Sequence, residues 1–132
     1  MNKVKLIIAS ILMLATASVF ALDSTYDLKF ERGKISATME SGLVRGDSDT
    51  YLFRAGANRA LSVAVTAFEN NATAEISYRK NGKWVAITGA EDTRAWYGKL
   101  PKSQSNRYKI VVGGTRGNAT YELFVGISVT DH

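Results

Sequence analysis

The sequence contains no cysteine, one proline and one histidine, and these scarcities exclude several kinds of protein. Without cysteine the fold has no disulfide, so packing and backbone pairing must hold it together. The histidine is His132, a terminal position that we do not expect to be functional. Without cysteine or an internal histidine, the usual zinc sites and the nucleophile–base pairs of hydrolases cannot be built. The composition therefore favours a protein that is not an enzyme and needs no metal or other cofactor.

Long hydrophobic runs are also scarce, and the one near the N-terminus is too short for a typical transmembrane helix. Two lysines precede this run, which ends near Ala15, and Val19 and Ala21 follow at the spacing of a cleavage site. This order is typical of a secretory signal peptide. We therefore expect residues 1–21 to be removed, residues 22–132 to form one exported domain, and no stable membrane insertion after cleavage.

Charge of one sign is nowhere concentrated along the chain. There are 17 Lys and Arg residues against 12 Asp and Glu, a formal net charge of +5, and Lys3 and Lys5 belong to the predicted signal peptide. No run of basic residues reaches the length typical of an arm that binds nucleic acid. Export also argues against such a partner, so we expect no nucleic acid to be bound.

Acidic residues form no convincing metal or catalytic pattern. Asp47 and Asp49 follow Gly46 but lack the further oxygen ligands of an EF-hand loop, so we predict a solvated turn rather than a calcium site. Glu91 and Asp92 are adjacent in a loop, whereas glycoside hydrolysis needs two carboxyl groups flanking the scissile bond. A binding module is therefore the default interpretation.

Short segments of alternating apolar and polar residues fill the rest of the chain, and no convincing helix is present. We predict strands at 26–30, 35–40, 50–54, 61–66, 74–79, 84–87, 95–100, 108–112 and 121–129. Turn residues recur about every eight to twelve positions, a spacing typical of an all-β sandwich or barrel. The sequence therefore predicts an all-β fold, a single small antiparallel β-sandwich of about eight to nine strands.

Two hairpins are expected within this sandwich. Asn81-Gly82 is the strongest hairpin signal in the chain and predicts that the segments on either side of it pair. The strand that begins at Tyr121 is expected to pair with the strand that begins at Tyr108, around the glycine-rich loop between them. Both expectations concern strands that follow each other directly in sequence.

Three large amphipathic residues, Trp84, Trp96 and Tyr97, are candidates for a binding surface. Half-buried strand positions explain such residues equally well, so the sequence leaves both interpretations open. Trp96 and Tyr97 are neighbours on one predicted strand and must point to opposite faces, which predicts that one of them faces solvent.

A polar segment from Lys102 to Arg107 separates Leu100-Pro101 from the strand beginning at Tyr108. The residues alone allow either a plain hairpin loop or a loop that contacts a partner. The segment ends in Ser105-Asn106-Arg107-Tyr108. An earlier stretch reads FERGKISA at residues 30–37 and GLVRGDSDTYLFRA at residues 42–55.

In these stretches the chain resembles the periplasmic lysozyme inhibitors, specifically the goose-type and invertebrate-type inhibitor families. Their late motif is L-P-x-S-G-x-Y, and Asn106 stands where the family usually has glycine. Asparagine tolerates a positive φ better than most residues, so the turn can be kept. The resemblance implies an exported β-sandwich, resident in the periplasm, that inhibits a goose-type or invertebrate-type lysozyme without being an enzyme itself.

The resemblance also implies which residues bind the target. In the family, the loop enters the lysozyme cleft near its catalytic acid, so Ser105 and Tyr108 would supply hydroxyls to that carboxyl group. Arg107, between them, would pair with cleft carboxylates or remain solvated. We then expect that replacing Ser105 and Tyr108 with alanine abolishes inhibition and leaves the fold intact.

A second hypothesis is a non-catalytic carbohydrate- or protein-binding module of the cell envelope. The run Gly46-Asp47-x-Asp49-x-Tyr51 resembles the domains that follow secreted peptidases, known as pre-peptidase C-terminal domains. A structural envelope protein without an enzyme target is a third hypothesis.

Overall fold

The computed structural model describes residues 24–28, 36–56 and 59–128, which fold as nine strands packed in a sandwich. In chain order they are β1 Ser24–Asp27, β2 Ser36–Leu43, β3 Ser48–Arg54, β4 Ala60–Ala67, β5 Ala72–Lys80, β6 Lys83–Ala86, β7 Ala95–Lys99, β8 Arg107–Gly114 and β9 Ala119–Ile127. One turn of 3-10 helix, Gln104–Asn106, precedes β8. The predicted fold class is confirmed. No helix among the described residues is long and apolar enough to cross a membrane.

The strands form a five-stranded sheet in the order β1-β3-β8-β5-β6 and a four-stranded sheet in the order β2-β9-β4-β7. Neighbouring strands are antiparallel except β1 and β3, which are parallel. Because β8 and β9 belong to different sheets, the expected C-terminal hairpin is wrong. Two consecutive alternating strands can pair edge to edge or face each other across the core, and their own residues do not distinguish the two arrangements.

The hairpin predicted at Asn81-Gly82 is confirmed. β5 and β6 pair up to Lys80 and Lys83, and the two residues between them have φ values of 54° and 76°. Positive φ at both central positions gives a turn whose twist matches that of the flanking strands. The glycine has no Cβ to strain there, and asparagine accepts this conformation more readily than other residues.

The core lies between the two sheets, where alternate side chains of each strand point inward. The largest fully buried side chains are Tyr51, Tyr108, Tyr121, Met39, Leu61, Ile76, Leu100, Ile110, Leu123, Val112 and Val125. Both sheets contribute to this set, so neither sheet has a stable inner face without the other. Hydrophobic burial therefore takes the place of disulfides in holding this domain together.

A buried polar group, which we call the Asp49 network, crosses the core near one end of the sandwich. Asp49 Oδ2 accepts hydrogen bonds from Ser41 Oγ at 3.0 Å and from the Tyr121 hydroxyl at 2.6 Å. The Tyr51 and Tyr121 hydroxyls are 2.5 Å apart, and burial raises the pKa of both tyrosines. The network connects β2 and β9 of one sheet with β3 of the other. Asp49 is therefore a core residue, and the prediction that it lies in a solvated turn is wrong.

Two stretches singled out from the sequence lie outside the described residues. They are the expected signal peptide, residues 1–21, and residues 30–35, the first six of the early stretch. The rest of that stretch forms β2, the turn after it and β3.

Candidate functional site

The segment between β7 and β8, residues 100–106, is the candidate site, and we call it the crossover loop. It leaves the four-stranded sheet after Lys99 and enters the five-stranded sheet at Arg107. The loop therefore connects two sheets across one end of the sandwich, and it is not the hairpin loop that was one of the two interpretations. We call this end the loop end, and the end that carries the turns at 44–47, 68–71 and 114–118 the far end.

The tip of the crossover loop has an uncommon backbone conformation. Ser105 has φ 55° and ψ 21°, and Asn106 has φ 56°. Two successive non-glycine residues in the left-handed region are unfavourable unless neighbouring bonds fix them. Here Asn106 N donates to Ser103 O at 3.0 Å, and Asn106 O accepts from Ala55 N at 3.0 Å. The tip is thus tied both to its own loop and to the end of β3.

Ser103 holds the base of the loop. It is buried, its hydroxyl accepts a hydrogen bond from Arg79 N at 2.7 Å, and it donates one to Arg107 O. The hydroxyl therefore joins the ends of β5 and β8, beyond the last pair of their ladder. Sequence reasoning missed Ser103, although it follows Leu100-Pro101 at the spacing of the motif L-P-x-S without any insertion.

A second attachment joins the loop to the β5–β6 turn. Gln104 Oε1 accepts a hydrogen bond from Gly82 N at 2.7 Å. Between the turn and the loop runs a groove of about 380 Å³, lined by residues 78–81 and 101–104. Lys80 and Lys102 line this groove, so it has a basic character.

Of the four residues predicted to bind a target, three are exposed together, and we call them the loop tip: Ser105 and Asn106 at the end of the crossover loop and Arg107, the first residue of β8. Tyr108 is not, because its exposed fraction is 0 %. Its ring stacks on Phe53 with centroids 5.5 Å apart, and its hydroxyl donates to Pro101 O at 2.5 Å. Burial raises the pKa of Tyr108.

The structure therefore engages the Tyr108 hydroxyl within the loop, whereas the sequence-based prediction has it offered to a partner. Because its ring is buried, replacement of Tyr108 by alanine should cost about 3–5 kcal/mol of stability, so we no longer expect this replacement to leave the fold intact. Tyr108 instead holds the crossover loop in place through the hydrogen bond from its hydroxyl to Pro101 O. The interpretation of Ser105, Asn106 and Arg107 as a binding surface stays a prediction.

The three amphipathic aromatic residues lie in different environments. Trp96 packs against the core, whereas Tyr97 is 72 % exposed, so the prediction that one of the pair faces solvent is confirmed. Trp84, on the outer face of the five-stranded sheet, has the Arg79 guanidinium 4.8 Å from its ring centroid and Lys109 Nζ 4.9 Å from it. These are cation–π distances.

Metal-ligating side chains are not grouped anywhere in the part of the chain that the structure describes. No set of three or more His, Asp or Glu side chains there is placed to hold a metal ion. Asp47, the other residue of the acidic turn, has a buried Oδ1 without a hydrogen-bond partner. The crossover loop and Arg107 after it carry ammonium, hydroxyl, amide and guanidinium groups, which suit recognition by hydrogen bonding.

Comparison with known proteins gives a likeness of fold. No protein-family model and no curated protein sequence matches the chain. Among solved structures, PliG of Aeromonas hydrophila, a periplasmic lysozyme inhibitor of g-type lysozyme, has a TM-score of 0.65 at 22% identity, over 80% of this chain and 97% of that one. A mutant of PliG from Escherichia coli, with the same described activity, has a TM-score of 0.61 at 20% identity, over 81% and 100%.

A different kind of protein is also similar. The pre-peptidase C-terminal domain of a collagenase from Bacillus anthracis has a TM-score of 0.50 at 16% identity, over 84% of this chain and 99% of that one. At these identities the similarities show that the chain has the sandwich fold of both groups, with the higher scores for the lysozyme inhibitors.

Proposed function

We propose that this protein is an exported, periplasmic inhibitor of g-type lysozyme that blocks the enzyme's cleft with the tip of the crossover loop. The observation that carries the proposal is the exposed tip of Ser105, Asn106 and Arg107, in which Ser105 and Asn106 have left-handed backbone conformation and Asn106 is held by backbone bonds on both sides. The protein is not an enzyme in this proposal, and its partner is the lysozyme itself.

The loop is well suited to fill a cleft because little of it is free to move. Tyr108, Ser103 and Gln104 attach it to β8, β5 and the β5–β6 turn respectively. A loop that is already ordered loses little conformational entropy on docking, and this favours affinity. It has no glycosidic bond, so the enzyme cannot cleave it.

The tip also carries suitable chemistry. The Ser105 hydroxyl can donate to a carboxylate or accept from a carboxylic acid, and the Arg107 guanidinium can form a bidentate pair with a carboxylate. Lysozymes place carboxyl groups at the scissile bond. The fold likeness to two inhibitors of g-type lysozyme supports this class of target over the invertebrate-type class.

The proposal is tested by lysis of peptidoglycan with g-type, invertebrate-type and chicken-type lysozymes in the presence of the mature chain. We expect inhibition of the g-type enzyme. The double variant Ser105→Ala with Arg107→Ala should weaken this inhibition by at least about tenfold, because hot-spot residues dominate small interfaces.

The β8–β9 loop provides a matched control, since Thr115→Ala with Arg116→Ala removes one hydroxyl and one guanidinium from an exposed loop at the far end. This variant should keep inhibition within about twofold of the wild type, as expected for residues outside an interface. Equal losses in the two double variants would contradict the role of the loop, and no inhibition by the wild type would contradict the proposal as a whole.

The envelope-module hypothesis predicts that the protein inhibits no lysozyme. Its support is the lower similarity to the collagenase domain and the shared Gly46-Asp47-x-Asp49-x-Tyr51 run. In that run Tyr51 and Asp49 are buried, so the shared residues stabilise the sandwich and do not form a surface. Binding to a cell-wall polymer without inhibition of any lysozyme would favour this hypothesis.

A further inference from the structure

The outer face of the five-stranded sheet brings positive charges together at the loop end. Arg54 on β3 and Arg107 on β8 are direct cross-strand partners, and both are exposed. Like charges in this position repel each other and destabilise a sheet. A pair of this kind at the side of a candidate binding loop calls for an explanation other than stability.

Two more cations continue this cluster. Tyr78 pairs with Tyr108, which places Arg79 beside Arg107 at the end of the β5–β8 ladder, and Lys109 is the next outward-facing residue of β8. Arg79 and Lys109 both approach the ring of Trp84, which confirms that the three side chains share one face. We call Arg54, Arg79, Arg107 and Lys109, together with Trp84, the basic face.

The charges of the basic face are not neutralised within the described part of the chain. Among those residues, no carboxylate forms an ion pair with Arg54, Arg79, Arg107 or Lys109. Glu75 lies on the same face but pairs with Val111, one outward position further from the loop end. Among the described residues, therefore, no carboxylate competes with an acidic partner for the four cations.

The basic face and the crossover loop are parts of one surface. Arg107 belongs to the loop tip and to the basic face, and the Ser103 hydroxyl bonds to the backbone of both Arg79 and Arg107. Whatever the tip enters must therefore lie against the basic face as well. This continuity identifies the occupant of the basic face as the same protein that receives the loop.

We propose that the basic face is an electrostatic docking surface for acidic side chains at the mouth of the lysozyme cleft, an inference that rests on the proposed function. Guanidinium groups form planar bidentate pairs with carboxylates, and the Arg79 and Lys109 cations lie over the Trp84 ring on the same face. Arg54 and Arg107 are exposed, and Arg79 and Lys109 are half-buried. Because these charges would lie at the rim of the contact, they accelerate association and set its salt dependence more than they slow dissociation.

The test compares association rates of two triple variants with a g-type lysozyme, by stopped flow or surface binding, from about 20 to 300 mM salt, a range over which the screening length shortens severalfold. The first variant is Arg54→Gln, Arg79→Gln and Lys109→Gln, which leaves the loop tip intact. We expect its association rate at low salt to fall about tenfold and its salt dependence to flatten, with dissociation changed by less than about threefold.

The matched control removes the same number of charges at the far end, with Arg45→Gln, Arg94→Gln and Arg116→Gln. Far-end placement follows from Arg45 N bonding to Asn118 and from Arg94 and Arg116 bonding to the carbonyls of Asn70 and Glu69. We expect its association rate to stay within about twofold of the wild type, since the net charge alone has a weaker effect than charges beside the contact.

The possible outcomes separate the two proposals. If the wild type binds g-type lysozyme and the two triple variants lose association rate equally, the basic face is not a docking surface although the inhibitor proposal stands. If the first variant keeps lysozyme association and instead loses binding to vesicles rich in phosphatidylglycerol, the inference is overturned in favour of a membrane contact. If the wild type binds no lysozyme, the proposed function fails and this inference fails with it.

Discussion

The two ends of the sandwich use polar residues in opposite ways. Near the far end, the Ser41 and Tyr121 hydroxyls both donate to Asp49 inside the core, and Asn118 connects neighbouring turns through bonds to Arg45 and Asn71. At the loop end, the tip residues and the basic face point their polar groups outward, where the described residues give the four cations no carboxylate partner. Polar side chains that bond to one another within the fold indicate a structural role. Polar groups that face solvent on a rigid support indicate a binding role.

The largest effect is expected from a variant that breaks the Asp49 network near the far end. Asp49→Ala removes the acceptor of the Ser41 and Tyr121 hydroxyls and leaves both buried without it, so we expect the free energy of unfolding to fall by about 3 kcal/mol. Urea denaturation measures this change. Inhibition of lysozyme per folded molecule should remain that of the wild type, because the loop end is untouched.

The neighbouring carboxylate provides the control for this prediction. Asp47 Oδ1 is buried but has no hydrogen-bond partner, so Asp47→Ala should change the stability by less than about 1 kcal/mol. Loss of inhibition by folded Asp49→Ala protein would show that the two ends are coupled, and the comparison between them would then not hold.

A smaller effect is expected at the base of the crossover loop. Tyr108→Phe keeps the ring that stacks on Phe53 and removes the hydroxyl that donates to Pro101 O. The loss of one hydrogen bond should cost about 1 kcal/mol of stability. Because the loop is then less firmly held, inhibition should also weaken by about three- to fivefold, which is the equivalent of up to 1 kcal/mol in binding.

Tyr108→Phe links the stability of the fold to binding at the loop end, because the loss of one hydrogen bond should lower both the stability and the inhibition. Tyr97→Phe, at an exposed position on the edge strand of the other sheet, removes the same atom and should alter neither quantity measurably. A Tyr108→Phe protein that unfolds more easily but inhibits as well as the wild type would mean that the loop does not need this support.

The strands of this protein are predictable from sequence because their alternation and their turns are local. The same local information does not specify which strands pair, and the partition of β8 and β9 between two sheets was therefore missed. The basic face is not predictable for the same reason. Arg54 and Arg107 are 53 positions apart and meet only through the register of β3 and β8. The pairing of strands that are distant in sequence is therefore not predictable from local patterns alone.

The burial of Tyr108 is a different case, because the sequence contained the signal for it. Tyr108 has the same parity as Ile110 and Val112 in one predicted strand, so all three point to the same face, and the structure buries all three. Arg107 has the opposite parity and points outward. The resemblance to a family implies that the Tyr108 hydroxyl contacts a target, whereas the two-residue period of the strand predicts that Tyr108 is a core residue.

The last prediction concerns the backbone of the loop tip, where replacement of Asn106 by glycine has the smallest effect expected here. Asn106 has φ 56°, a conformation that glycine adopts readily, so Asn106→Gly should keep the tip and change stability by about 0.5 kcal/mol or less. Asn106→Val adds a β-branched side chain that resists this conformation and should cost about 1–2 kcal/mol and shift the tip away from its left-handed geometry. We therefore expect inhibition to be retained by the glycine variant and reduced by the valine variant, with thermal unfolding measured beside lysis.

A matched pair of variants at Asn70, which has φ 53° at the far end, should show the same difference in stability and none in inhibition, because the proposed contact with the enzyme lies at the loop end. If the valine variants at both positions lost stability equally and neither lost inhibition, the left-handed tip would be a structural turn like the one at Asn70, and the outward polar groups of the loop end would have to bind through the basic face alone.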